Sequence, residues 1–245
     1  MNDERLTMND CGKNAAIIFD FDDTLVYSHE QFLLTEQAFA ARLAELGLYD
    51  EGLLPAARVA DIANVRRAGY LAADCFPLAL AQTYESYCGK YGRAVDEREI
   101  QRLLALGRQP YRNRPREMEG ARELLEHLRS AQGGRRFLIL FTQGEQEIQQ
   151  QRIDSSGFSK MFDIIKIVRE KNDAALQALL QEQSLNPSLS WYVGNSPLHD
   201  INPAIRAGLN AVHLNTGGWS YENEAPCGFY YAISKLEELK KLIND

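Results

Sequence analysis

The hydrophobic pattern opens with a short apolar run, Ala15-Ala16-Ile17-Ile18-Phe19, which stops at Asp20-Phe21-Asp22-Asp23-Thr24-Leu25. A run of this length ending in acids predicts a buried strand that delivers carboxylates to the C-terminal edge of a sheet. From Ser28 to Gly107 the pattern turns helical. Phe32, Phe39, Leu43 and Leu46 fall near one helical face, as do Leu80, Tyr84, Tyr87 and Tyr91, with Gly47, Gly69, Gly89, Gly92 and Gly107 as punctuation. Strand and helix then alternate. The pattern predicts a helix over Glu119–Ser130, a strand over Arg136–Thr142, a helix over Glu145–Asp154 and a strand over Phe162–Val168. It continues with a helix over Asn172–Ser184, a strand over Leu189–Gly194, a helix over Pro197–Ala207 and a strand over Ala211–Asn215. Ile233, Leu236, Leu239 and Ile243 predict a closing amphipathic helix packed on the sheet.

This alternation predicts an α/β fold, a doubly wound parallel, Rossmann-like sheet with right-handed crossovers, interrupted by an all-α insertion. The expected division is a core of residues 1–27 and 108–245 and a helical cap of residues 28–107. The Arg-rich stretch Arg108–Arg116, with Pro110 and Pro115, is expected to be the hinge by which the insertion returns.

Composition narrows the function. The 245 residues are 45% hydrophobic and 25% charged, an ordinary globular balance. Cys11, Cys75, Cys88 and Cys227 are scattered, without a Cys-x-x-Cys pair, so reduced thiols and a cytoplasmic location are expected. Met1–Asn14 is polar and unlike a signal peptide, and no apolar stretch approaches the ~20 residues of a bilayer span, so neither export nor membrane association is expected. A net charge of -7 and a pI near 5.3 argue against a nucleic-acid surface. They leave small anionic substrates open, because a local cationic site operates inside an acidic protein.

Carboxylates two residues apart at a strand end are suited to hold magnesium while one attacks an electrophile and the other manages a proton. The strand followed by Asp20-x-Asp22-x-Thr24 resembles motif I of the haloacid dehalogenase-like (HAD) superfamily. The helical insertion resembles the cap of its subfamily containing phosphoglycolate phosphatase and β-phosphoglucomutase, and the likeness runs through nearly the whole chain in motif order. It implies that Asp20 is the nucleophile and Asp22 the general acid/base, with the Asp22 main-chain carbonyl also meeting the metal. Asp23 and Thr24 are expected to shape the turn without touching substrate.

Phe137–Thr142 followed by Gln143-Gly144 resembles motif II. There Thr142 would bind a phosphoryl oxygen, Gly144 would permit close backbone approach, and amides around Gln143 and Gly144 would cradle the anion. Locally, Thr142 fits equally as a helix cap. Ile167–Asp173 resembles motif III and makes Lys171 the candidate cation, with Lys166 and Arg169 as rivals. Trp191–Ile201 resembles motif IV, with one departure: Asn195 stands where the family often has a metal-binding acid. Asn195 keeps a carbonyl oxygen but removes a charge, leaving Asp20 and Asp200 as the side-chain anions for Mg2+. Asp200 also fits as the cap of the helix at Asn202. His29, Arg66 and Arg67 are secondary candidates near substrate, although a structural or solvated role is the commoner one for such residues, and His199 is a candidate neighbour of the metal shell that does not ligate it.

The resemblance implies a magnesium-dependent phosphomonoester hydrolase acting on a small phosphorylated metabolite through an aspartyl-phosphate. Asp22 separates it from the dehalogenases and phosphonatases of the superfamily, which lack an acid at that position. Two rivals stand beside this expectation: a phosphomutase of the β-phosphoglucomutase type, and a catalytically weak binding or regulatory protein whose metal site Asn195 has disabled. Monomer and homodimer fit equally.

Overall fold

The computed structural model describes residues 15–130, 137–216 and 224–244. Cys11 and Arg136, the latter the expected first residue of the strand over Arg136–Thr142, lie outside the described residues. In chain order the first elements are β1 (Ala16–Phe19), β2 (Val26–Tyr27), α1 (His29–Glu45), α2 (Leu53–Ala68), α3 (Cys75–Lys90), α4 (Glu97–Gly107), α5 (Gln109–Arg112) and β3 (Arg116–Glu117). Then come α6 (Ala121–Ser130), β4 (Phe137–Gln143), α7 (Gln146–Ser156), β5 (Ile164–Val168), α8 (Asp173–Glu182) and β6 (Trp191–Gly194). A π-helical turn (Pro197–Ile201) leads into α9 (Asn202–Arg206), followed by β7 (Asn210–Leu214), β8 (Tyr231–Ile233) and α10 (Leu239–Asn244).

Six strands form one parallel sheet in the order β5-β4-β1-β6-β7-β8. β1 is central and buried along its whole length, which is why its sequence is continuously apolar rather than alternating. Its side chains still divide by the two-residue period of a strand. Ile17 and Phe19 face one core with Leu124 and Leu125 of α6, Ile153 of α7 and Leu239 of α10. Ala16 and Ile18 face the other with Leu176 and Leu179 of α8 and Ala204 of α9. Helices therefore cover both faces. The chain winds outward from β1 to β4 and β5, then returns to β6 on the other side, so the crevice at the C-terminal ends of β1, β4 and β6 is the switch point where such folds bind ligands.

The insertion has its own apolar core, built from Phe39 and Leu43 of α1, Leu53 and Ala57 of α2, Leu80 and Tyr84 of α3 and Leu103 of α4. Paired charges brace it. Arg42 of α1 grips buried Glu99 of α4 through two hydrogen bonds of 2.7 Å. Asp96 caps α4 by accepting from the Arg98 amide. The chain enters and leaves this unit side by side, because β2 and β3 pair antiparallel through Val26–Glu117 and Tyr27–Arg116. The stretch read as a plain hinge thus holds a helical turn, α5, and a strand, and Tyr111 of α5 packs edge-on against Phe32 of α1.

The C-terminal segment also differs from the expected single helix. Ile233 ends β8, Leu236 lies in a 3-10 turn, and only Leu239 and Ile243 lie on α10. All four join the core beneath the sheet. Their spacing mimics helical periodicity because strand, turn and helix place every inward residue on the same apolar wall.

Gly107 ends α4 where it crosses α3, and a Cβ at this position would stand 2.5 Å from the Pro77 Cα. Gly107→Ala is therefore expected to destabilise the protein by about 1–3 kcal/mol, read as a lower urea midpoint. An unchanged midpoint would show that the two helices do not need this close approach.

Candidate active site

Each expected motif ends at the same edge of the sheet. Asp20 leaves β1 directly, anchored by its amide to the Val193 carbonyl of β6 at 2.9 Å. Thr142 sits near the end of β4, Lys171 follows β5, and Asn195 follows β6. These side chains, with Asp22 and Asp200, line one cavity of about 930 Å³ whose opposite wall comes from the helical insertion, including Phe32, Arg58, Ile62, Val65 and Phe76.

The centre of the site is a buried charge cluster. The Lys171 ammonium contacts Asp20 Oδ1 and lies 2.6 Å from Asp200 Oδ1. All three side chains are almost fully withdrawn from water. Burial pushes Asp20 up to about 7; Lys171 works against this shift, while Asp200 and Asp22 add to it. Burial likewise disfavours the Lys171 ammonium, yet the two carboxylates outweigh it and hold the lysine well above its ordinary value. Lys166 instead pairs with exposed Glu182, and the Arg169 guanidinium lies 5.2 Å from the Tyr70 ring centre. Of the three cations considered for motif III, Lys171 is the one beside Asp20.

The loop after β1 winds tightly, with the amides of Leu25 and Val26 both donating to the Phe21 carbonyl. Asp23 adopts a left-handed conformation (φ 57°), and its carboxylate accepts from the Ser28 and His29 amides at 2.9 Å each. It fixes the start of α1, as expected of a turn residue. Thr24 does more than shape the turn: its hydroxyl donates to Asp20 Oδ2 at 2.9 Å and approaches Asn195 Oδ1 at 3.4 Å. Both Asp20 oxygens are thereby held.

Asp22 sits in a separate polar nest. Its Oδ1 accepts from the Ser28 hydroxyl and lies 2.6 Å from the Arg152 guanidinium, and its Oδ2 accepts from Gln149 Nε2 at 2.6 Å. Burial would raise its pKa, but Arg152, Ser28 and Gln149 together hold it below the ordinary value. Gln149 also donates to the Thr142 hydroxyl at 2.9 Å. Ser28, Gln149 and Arg152 were not singled out from sequence. Gln149 and Arg152 stand in the run Gln149-Gln150-Gln151-Arg152, which reads as a solvated helix face; their i, i+3 spacing, which puts both on one side of α7, is the only hint.

Gln143 and Gly144 line the cavity, but part of their polar capacity is already committed. The Gln143 side chain accepts from the Lys171 amide at 3.0 Å, and the Gly144 amide donates to the Val168 carbonyl at 2.9 Å. At the other wall, Asp200 accepts from the Ser196 amide at 2.9 Å and from the Tyr192 hydroxyl at 3.3 Å. Gly194 makes this placement possible, because a Cβ there would fall inside the Asp200 carboxylate. His199 Nδ1 lies 3.2 Å from the Lys171 carbonyl and His213 Nε2 lies 3.0 Å from the Asn195 carbonyl, so both histidines brace loops of the site.

No group of three His, Cys, Asp or Glu side chains gathers at metal-binding spacing among the described residues. Asp20 and Asp200 lie close enough to share the Lys171 ammonium, and the Asn195 amide oxygen is linked to Asp20 through Thr24. Two carboxylates, an amide carbonyl and waters are an adequate donor set for magnesium, which favours few protein ligands and retains water.

A family model for haloacid dehalogenase-like hydrolase matches residues 15–208. No curated protein matches the chain. Among solved structures, a haloacid dehalogenase-like family hydrolase from Xanthomonas campestris is 25% identical, with a TM-score of 0.70 over 89% of this chain and 88% of its own. The magnesium-bound HAD-hydrolase YfnB from Bacillus subtilis is 16% identical, with a TM-score of 0.63 over 95% of this chain and 100% of its own. The L-2-haloacid dehalogenase from Xanthobacter autotrophicus is also 16% identical, with a TM-score of 0.63 over 94% and 98% of the two chains. The last two likenesses establish shared fold.

Lys171 is the shared counter-charge of two buried carboxylates. Lys171→Met strands them, and is expected to cost about 3–5 kcal/mol at neutral pH, measured by urea unfolding without divalent metal. A wild-type midpoint in the variant would contradict the cluster described above.

Proposed function

The chain belongs to the haloacid dehalogenase-like hydrolase family, and from that premise we propose that it is a magnesium-dependent phosphomonoester hydrolase acting on a small phosphorylated metabolite. One observation carries the choice of chemistry within the family. Asp22, two residues beyond the buried Asp20, is a second carboxylate on the same cavity, held by Arg152, Gln149 and Ser28. Displacing halide from carbon requires no proton for the leaving group. Cleaving a phosphate ester of an alcohol releases an alkoxide, which does.

In the first step an Asp20 oxygen forms a bond to phosphorus while the ester P–O bond breaks, and Asp22, which takes up a proton from solvent as the anionic substrate enters beside it, delivers that proton to the departing oxygen. In the second, water attacks phosphorus, Asp22 takes its proton, and the aspartyl P–O bond breaks to restore the Asp20 carboxylate. Lys171 balances charge at Asp20 and on the phosphoryl oxygens, and the Thr142 hydroxyl donates to one of them. Asp20, Asp200, the Asn195 side-chain oxygen and the Asp22 main-chain carbonyl would hold Mg2+, which supplies further charge neutralisation when bound. The helical unit of residues 28–107, together with α5, acts as a cap that surrounds the organic part of the substrate with Phe32, Ile62, Val65, Phe76 and Tyr111 and limits water during the first step.

Phosphate release from an aryl phosphate is expected to require magnesium, and Asp20→Asn is expected to lower it at least on the order of 1,000-fold. Asn195→Asp adds a carboxylate to the donor set and is expected to reduce the magnesium concentration needed for half-maximal turnover. Turnover indifferent to chelation, or surviving in Asp20→Asn, would overturn the proposal. A mutase would instead return the phosphoryl group to an organic acceptor and release little free phosphate.

A further inference from the structure

Resting on the phosphatase reading, we infer that Arg152 is a positioning residue for Asp22, holding the general acid/base in the orientation that serves the leaving group and tying that orientation to the first turn of the cap. Four groups from three parts of the chain meet here. Arg152 Nη2 lies 2.6 Å from Asp22 Oδ1 and donates to the Ser28 hydroxyl at 2.7 Å, while its Nη1 donates to Gln149 Oε1 at 2.9 Å. Ser28 and Gln149 then each donate to Asp22, one to each carboxylate oxygen. The ring of contacts is closed, so Asp22 cannot rotate without breaking charge-assisted hydrogen bonds on both oxygens.

The guanidinium itself has little freedom. Arg152 is 6% exposed and lies 5.6 Å from the ring centre of Phe21, the residue between the two acids. A buried arginine whose planar fork spans a carboxylate, a hydroxyl and an amide fixes geometry in a way that a lysine cannot reproduce. Ser28 carries the second half of the inference. It directly precedes α1, whose Phe32 and Glu36 line the cavity wall opposite the sheet. The same side chain therefore touches the acid/base and the point where the cap begins.

The test compares kcat/KM on two esters that differ in their need for a proton: β-glycerophosphate, whose glycerol departs as an alkoxide unless protonated, and p-nitrophenyl phosphate, whose leaving group is stable unprotonated. Because kcat/KM covers steps only through phosphoryl transfer to Asp20, it isolates the protonation event from later hydrolysis. Arg152→Met is expected to lower kcat/KM for β-glycerophosphate on the order of 100-fold, and for p-nitrophenyl phosphate only a few-fold. Arg152→Lys should fall between Arg152→Met and the unmodified protein, and Ser28→Ala should show a smaller change of the same sign. Ser28→Ala removes one hydroxyl and reads the same ratio should Arg152→Met fail to fold. Equal losses on both esters, or none, in the folded variants would make Arg152 a structural residue and overturn the inference. Absence of turnover in the unmodified protein would overturn the phosphatase reading as well, whereas turnover with an unchanged ratio overturns this inference alone.

Discussion

The structure turns on one electrostatic constraint: two carboxylates, Asp20 and Asp200, are buried around a single ammonium, that of Lys171. Neither acid tolerates that burial alone, and a lysine there without them would be driven to lose its charge. The cluster joins β1, the loop after β5 and the turn after β6, so it forms only when the parallel strands reach the right register. Close packing around it is equally specific. Gly194 leaves room for the Asp200 carboxylate, the Ser196 amide and Tyr192 hydroxyl hold it, and Thr24 takes the free Asp20 oxygen. A nucleophile at this position therefore gains its orientation from the same contacts that stabilise the edge of the sheet.

The second acid is handled differently, with partners of its own. Asp20 shares a lysine with another acid and is pushed up to about 7 by burial, whereas Asp22 has an arginine, a hydroxyl and an amide of its own and is held below the ordinary carboxylate range. Taken alone these directions oppose the proposed roles, since a nucleophile works ionised and a general acid protonated; added positive charge beside Asp20 and an anionic substrate beside Asp22 would each move them toward those roles. The insertion contributes through its entry point as well as through the cavity wall it supplies, because Asp23 anchors the amides that begin α1 while Ser28 donates to Asp22. The placement of Asp22 and the attachment of the insertion thus share a few residues of one loop.

Much of this was legible in the chain. The apolar run to Phe19 and its abrupt change to acids marked β1 and placed Asp20 at the ligand-binding edge, and the later alternation marked β4 through β7 within a few residues. Short elements escaped because periodicity needs length: β2 and β3 have two residues each and β8 has three. The pairing around Asp22 escaped for another reason. Gln149 and Arg152 lie in a polar stretch of α7 that sequence alone assigns to solvent, and only the tertiary approach of α7 to the β1 loop turns them inward. Thr24 looked like a turn former because its contact with Asp20 depends on the backward winding of the loop onto Phe21. Asn195 was visible as a departure from the family pattern, but its proximity to the Thr24 hydroxyl was not.

The central claim is that Asp20 attacks phosphorus and that water later attacks the same phosphorus, rather than the Asp20 carbonyl carbon as in hydrolysis of an alkyl ester. A single turnover of excess protein on p-nitrophenyl phosphate in water labelled with heavy oxygen, followed by mass spectrometry of the phosphate and of the Asp20 peptide, decides between them. The account predicts label in the released phosphate and none in Asp20. Label in the Asp20 carboxylate would place the water attack on carbon, the chemistry of dehalogenation, and contradict the account.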